Sequence, residues 1–506
     1  MQSLRRSAVY WTNVNKQFTR SVSLNNVEEN TTENLKSWQE IPGPSSLPLI
    51  GQLHHFLPGG YLSKRSDLLS EKNYRKYGPI VRFQGFFGSP PVITLYDPEV
   101  ISHILRSENT LPIRPGLQSL EYFRTKVLTK EGYPPDTPTG LITDQGEVWK
   151  KFRSTVNPIM LHSKIIKLYK ETLKEVADDM VKRMRRIRND KNILTEKFDM
   201  EMNLWALESI AVVALGGRLN CLDENLPDDS HAKRLIHQVH NIFILSDKLD
   251  FAPGLWRYIP TPTFNRAMKY YEEQMKTSKF FITKAMKKFK NTQKSSNDEK
   301  SVLEKLFEID EHIAVIMATD MLFAGVDTTA NTITAILYHL ASNPDKQSKL
   351  REEIMSKEEK QPYLKACLKE SIRLMPVVAG NMRQTSKEYN LFGYKVPKGM
   401  YIMFAHQALS VMEEYYPRSK EFIPERWIVE KGDPLYHGNT HPFAYNPFGF
   451  GVRSCIGRRI AELEIETFLT TVLENFKIEW VGPPPKIHTS TINYIKGPYN
   501  FVFKDL

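Results

Sequence analysis

Between about residue 140 and residue 350, apolar side chains recur every three to four positions, the spacing that gathers them on one face of an α-helix. The longest such run, from about Glu311 to Ser342, is apolar on most of its circumference and stops at Asn343-Pro344. It predicts a long, buried helix, because the residue before a proline is disfavoured in the helical region. Two stretches break this period. Residues 80–96 (IVRFQGFFGSPPVITLY) set β-branched and aromatic residues on either side of a Gly/Pro turn and predict a hairpin. Short strands are expected again at 391–404, around a turn at Pro397-Lys398-Gly399, and near the carboxyl terminus. Upstream, Ile41-Pro42-Gly43-Pro44 and Pro48 form a stiff, turn-rich lead-in. The pattern as a whole predicts a mainly α fold with small β-sheets (α+β).

Composition narrows this further. With 41% hydrophobic residues over 506 positions there is material for one large core, and no linker, repeat or charge block marks a boundary. One catalytic unit over residues 26–506 is expected, after a leader over residues 1–25. That leader carries Arg5, Arg6, Lys16 and Arg20, interspersed serines and no acidic residue before Glu28, the composition mitochondrial import requires. A continuous run of about 20 apolar residues is lacking, so no transmembrane helix is expected. Net charge is +11; nucleic acid is one reason for it, but the Lys and Arg are dispersed and no nucleic-acid-binding motif occurs, and an acidic protein partner or an anionic membrane surface fits as well. Cys221, Cys367 and Cys455 are odd in number and form no C-x-x-C pair, which argues against a disulfide framework and structural zinc.

The densest chemistry lies in Phe448-Gly449-Phe450-Gly451-Val452-Arg453-Ser454-Cys455-Ile456-Gly457, followed by a helix with Arg458, Arg459 and Glu462. Gly449 and Gly451 let backbone approach a flat ligand where a Cβ would clash. Cys455 sits just ahead of a helix, where N–H groups stabilise a thiolate. Arg453 can neutralise a carboxylate of the same ligand. A dinucleotide-binding G-x-G-x-x-G competes, but it would need glycine where Ser454 stands. Mid-way along the long helix, Ala324-Gly325-Val326-Asp327-Thr328-Thr329 combines a glycine that lets the helix open a groove with an Asp/Thr pair that offers a proton path. Glu370 and Arg373 share a helix face three residues apart, as do Trp149 and Arg153 one turn apart.

FGFGVRSCIG resembles the haem-binding loop of the cytochrome P450 family, matching F-x-x-G-x-R-x-C-x-G at every fixed position, and the resemblance runs from about Ile41 to the end. It implies haem b held by the Cys455 thiolate, a ligand that favours O–O cleavage. It implies further haem contacts from Trp149, Arg153, Arg383, Phe448, Gly449, Arg453, Gly457, Ala324 and Ala461. Asp327 and Thr328 would serve oxygen activation, and Glu370, Arg373 and Arg426 would form a buried structural triad. Substrate-facing positions would include Leu322, Phe323, Val377 and Val378.

The segment Cys455–Glu462 and the stretch Lys365-Ala366-Cys367-Leu368-Lys369-Glu370 are similar to the mitochondrial clan, and Tyr258-Ile259-Pro260-Thr261-Pro262 leans toward its insect branch. Lys365 and Lys369, with Arg458 and Arg459, would then dock an acidic [2Fe-2S] ferredoxin served by an NADPH-dependent reductase. An apolar stretch with Phe243, Leu255, Trp256 and Tyr258 would contact the matrix face of the inner membrane peripherally. The expected reaction is monooxygenation of a lipophilic xenobiotic or steroid-like substrate. A haem-thiolate isomerase or dehydratase needing no electron donor, or a non-catalytic haem sensor, is the alternative. Between Glu353 and Pro362 the chain is about a dozen residues shorter than the family pattern.

Overall fold

The computed structural model describes residues 35–62, 67–162, 168–194, 197–291 and 300–506; the expected leader lies outside them. The helix foreseen from the apolar run spans Glu311–Ser342, opened by the Asp310 side chain accepting from the Ile313 N–H and closed at Asn343. This central helix is long and apolar enough to cross a membrane, but 67% of that stretch is buried inside the protein, which marks it as a core helix. It packs most extensively on Phe198–Leu215, and also on Pro262–Asn291 and Pro362–Leu374. Gly325 explains the closest of these contacts. A Cβ there would lie 2.7 Å from Ile210 Cγ1, so glycine allows the two helices to touch. The helix stays α-helical throughout, and Gly325 packs against a neighbouring helix.

The hairpin at 80–96 is present as Ile80–Phe83 paired antiparallel with Val92–Leu95. Val92–Leu95 continues parallel to Tyr401–Phe404, which pairs antiparallel with Asn381–Gln384. Strands occur near 391–404 as expected, with a different turn. Tyr389–Leu391 and Tyr394–Val396 turn at Phe392-Gly393, both at positive φ, whereas Pro397-Lys398-Gly399 carries the chain from this sheet to the four-stranded one. The lead-in is pinned to the same sheet: Arg82 N–H donates to Pro42 O, and a Cβ on Gly43 would lie 2.1 Å from Arg82 O. The chain is therefore mainly helical with small sheets, as the hydrophobic pattern indicated.

Two arrangements fix the helix Pro362–Leu374. The short connection before it is sealed by Glu353, whose carboxylate accepts from the N–H groups of Tyr363 and Leu364 and so caps that helix. At its other end, Glu370 lies 2.8 Å from Arg373 and 2.9 Å from Arg426, all three side chains fully buried. Ile423 N–H and Trp427 Nε1 also donate to Glu370. Burial alone would raise the Glu370 pKa, and its arginine partners hold it below the ordinary carboxylate value. Arg373 in turn donates to the carbonyls of Ser410 and Ser419. Fully satisfied, the triad ties this helix to the segment 410–427 that precedes the cysteine loop.

Glu370→Ala would leave two guanidiniums buried without a counter-charge, and should destabilise the protein by about 3–5 kcal/mol. Trp427→Phe removes one neutral donor and should cost about 1 kcal/mol. Urea denaturation of both variants measures the difference; equal costs would mean the triad is not the tie described.

Candidate active site

The Gly449 and Gly451 backbones lie at φ 73° and 70°, a conformation that side chains disfavour, and they bend the loop so that Cys455 N–H reaches Phe448 O at 2.8 Å. The helix Arg458–Asn475 starts three residues on. Cys455 lies deep among protein atoms yet keeps an accessible surface, so it lines a cavity. Burial pushes its thiol pKa up; the Gly457 N–H, the charges of Arg153 and Arg114, and the Arg458 N–H oppose this and favour the thiolate.

Around the cysteine converge four guanidiniums. Arg453 stacks on the Trp149 ring at 3.7 Å and donates to Pro112 O, Asp144 O and Gln145 Oε1. Arg153, one turn along the helix Gly146–Met160, donates to Ser454 O at 3.0 Å. Arg383, on the strand Asn381–Gln384, has Glu108 at 2.5 Å. Arg114 completes the group and was not foreseen from the sequence; its only local signal is its place between Pro112 and Pro115. Burial and then mutual repulsion lower the pKa of Arg114 to about 10 and of Arg453 to about 9, still cationic at neutral pH. The carboxylates nearby are committed. Glu108 serves Arg383, and Asp144 accepts from the Thr139 and Gly140 N–H groups. Arg453 Nη1 and Arg153 Nε have no partner. Buried cationic excess with orphaned donors beside an accessible sulfur fits a ligand with two carboxylates and a thiolate-binding centre, which is the donor set haem b requires. Gly457 adds room, since a Cβ there would meet nothing within 4 Å.

On the central helix, Ala324 and Thr328 share a face, with Thr328 Oγ1 donating to Ala324 O at 2.6 Å. Asp327 is fully buried and hydrogen-bonds His240 Nδ1 through Oδ2 at 3.3 Å; Oδ1 has no partner. The Asp327 and Thr328 side chains thus engage different groups. Phe323, one turn before Asp327, stacks on Phe243 with centroids 5.0 Å apart. Leu322 is completely buried and points roughly 200° around the helix from Ala324, so it does not share that face. Val377 packs against the core, and Val378 is 37% exposed with its carbonyl accepting from His406 Nε2. His240 and Glu464 were also missed. Glu464 is buried beneath Thr329, burial holding its pKa well above the ordinary value. Of the basic positions, Lys365 is exposed, Lys369 lies 5.6 Å from the Trp427 ring, Arg458 pairs with Glu462, and Arg459 donates to Leu161 O.

A cysteine presented by two N–H groups within a buried arginine cluster defines a haem-thiolate type of site. The chain belongs to the cytochrome P450 family, whose model matches residues 41–503. It is 39% identical over 499 residues to "Cytochrome P450 CYP12A2" of Musca domestica, covering 93% of this chain and 92% of that one. "Probable cytochrome P450 12b2, mitochondrial" of Drosophila melanogaster is 36% identical, covering 90% of this chain and 87% of that protein. "Probable cytochrome P450 12c1, mitochondrial" of the same species is 35% identical, with 94% of each covered. The chain is thus similar to mitochondrial P450s of insects.

Loss of a charge-assisted hydrogen bond costs about 1.5–3 kcal/mol, so Arg453→Leu and Arg114→Leu should each weaken haem retention roughly ten- to hundred-fold. Transfer of haem to apomyoglobin measures this. Transfer as slow as from the unmodified protein would show that the cationic excess does not serve the cofactor's carboxylates.

Proposed function

We propose that this P450 works on the matrix side of the inner mitochondrial membrane, with electrons from a [2Fe-2S] ferredoxin and its NADPH-dependent reductase. It inserts one oxygen atom of dioxygen into a lipophilic substrate, a xenobiotic in preference to a steroid, while the other atom leaves as water. The observation that carries this reading is the accessible Cys455 sulfur, flanked by Gly457 and Arg458 N–H groups within the arginine cluster. Cys455 would ligate the iron; Trp149, Arg153, Arg383, Arg453 and Arg114 would hold the carboxylates; Phe448, Gly449, Gly457, Ala461 and Ala324 would bound the ring. When bound, haem supplies the reductive activation of dioxygen.

The chain's own part in that chemistry is to bring protons and exclude bulk water. Thr328 gives its hydroxyl proton to Ala324 O, which leaves its oxygen lone pairs free to accept from a donor on the cavity side. Asp327 keeps one oxygen uncommitted in a buried setting, where burial raises its pKa against the opposing effect of His240, so it holds a proton more readily than an exposed carboxylate does. Such a proton supply is needless for an isomerase and for a sensor.

For the electron donor, Lys365 and Lys369 share one face of their helix and Arg458 opens the helix Arg458–Asn475, basic positions suited to an acidic protein. The names of the similar proteins support the mitochondrial placement, and residues 1–25 would be the import leader. Exposed Leu255, Tyr258 and Ile259, with exposed Phe87 next to Gly88, whose backbone Tyr258 approaches, support peripheral membrane contact.

The reduced, carbon-monoxide-bound absorption spectrum tests thiolate ligation directly. It should show the red-shifted Soret band of a thiolate ligand, and Cys455→His should abolish it. Lys365→Glu combined with Lys369→Glu should slow reduction by ferredoxin about five- to hundredfold while leaving that spectrum intact, given about 1–3 kcal/mol of lost complementarity. Unchanged reduction kinetics would remove the docking surface from this reading.

A further inference from the structure

The helix His231–Asp250 meets the central helix through two contacts in register, Phe243 on Phe323 and His240 on Asp327. The two members of the second contact differ sharply in environment: the His240 side chain is 42% exposed and that of Asp327 is 1% exposed. His240 therefore stands between solvent and a buried carboxylate whose other oxygen, Oδ1, is uncommitted. We propose that His240 is the solvent-side proton relay for Asp327, a positioning residue that reloads the buried carboxylate and sets its protonation between turnovers. This rests on the role given above to Asp327.

The transfer balances without a further reactant. Imidazolium Nδ1 gives its proton to Asp327 Oδ2, leaving neutral imidazole and a neutral carboxylic acid. Asp327 passes a proton onward to the cavity, and imidazole takes one from water. A lysine or arginine could hold the same carboxylate but would not release its proton near neutrality, whereas an imidazole does. The other groups facing His240 favour its charged form. Asp199, at the start of Phe198–Leu215, adds negative charge, and the Tyr494 ring packs edge-on at 5.6 Å. Behind Tyr494 lie His488 and the charge of Asp247. From the helix Pro262–Asn291, Tyr270 turns to His237, one turn away. With Asp327 as the main cause, His240 titrates above its ordinary 6.5. The His240 proton is held below that value and lost as pH rises through the raised one, and the ion pair's contribution to stability is lost with it on the alkaline side.

The experiment has two arms on the holoenzyme. In the first, NMR of ring-labelled histidine follows the His240 titration; Asp327→Asn should lower its midpoint by at least half a pH unit, and an unmoved midpoint overturns the pairing whatever reaction the enzyme runs. In the second, steady-state turnover of His240→Gln and His240→Lys is followed against pH. Both variants should lower kcat about tenfold or more with KM little changed, release more hydrogen peroxide per NADPH consumed, and lose the alkaline fall in rate. His240→Lys preserves the ion pair, so restoration of the native pH profile and coupling by lysine would reduce His240 to a structural tether and overturn the relay. A shifted NMR midpoint with no oxygenated product from the unmodified enzyme would sink the monooxygenase reading and leave the pair standing.

Discussion

Buried positive charge around Cys455 is the constraint on which the arrangement of the site depends. Arg114, Arg153, Arg383 and Arg453 come from four separate segments, and each of them loses hydration by coming together. Glu108 compensates Arg383, but Arg453 is held mainly by the carbonyls of Pro112 and Asp144, which are dipoles without net charge. Such a cluster stays assembled only if the surrounding fold is stiff or an anion completes it. Here both apply: carbonyl contacts fix the guanidiniums of Arg153, Arg383 and Arg453, and the orphaned donors remain for a dianionic ligand and for the thiolate.

The Glu370 triad is the electrostatic opposite. One carboxylate lies between two guanidiniums, and the remaining donors go to backbone carbonyls, so nothing is left over. It closes on itself and holds the helix Pro362–Leu374 against the segment leading to the cysteine loop. A satisfied charge network behind the site and an unsatisfied one within it divide the work between scaffold and binding. The same residue type, buried to a similar degree, serves both purposes because the count of local carboxylates differs.

The long helix, the hairpin and the cysteine loop were legible because each is written in a short stretch of sequence: an unbroken apolar run, alternating β-branched residues about a Gly/Pro turn, and a fixed spacing of glycine, arginine and cysteine. What stayed hidden depends on partners far away in sequence. Arg114 gains its meaning from Arg453 and Gln145, and His240 from Asp327, more than eighty positions on. The packing of Gly325 stayed hidden for the same reason, since its neighbour is Ile210 on another helix. Leu322 was placed by its apolarity, and helical geometry turned it away from Ala324. At Pro397-Lys398-Gly399 the turn was real, but which strands it joined depended on sheet pairing that no local pattern carries.

The central helix assigns its faces by residue over a single turn and a half. Ala324 and Thr328 share one side, Gly325 meets the helix Phe198–Leu215, and Phe323 and Asp327 meet the helix His231–Asp250. The last contact couples two processes. The helix His231–Asp250 leads directly into the exposed apolar segment with Leu255, Tyr258 and Ile259, the part proposed to face membrane and incoming substrate. Displacing that helix would separate His240 from Asp327 and strip the buried carboxylate of its partner, while its return would restore the pair. An ionic contact at 3.3 Å is more sensitive to such a displacement than the ring stack one turn away, because a lost hydrogen bond cannot be replaced by looser packing. The position of the helix His231–Asp250 therefore sets whether the buried carboxylate keeps its imidazole partner.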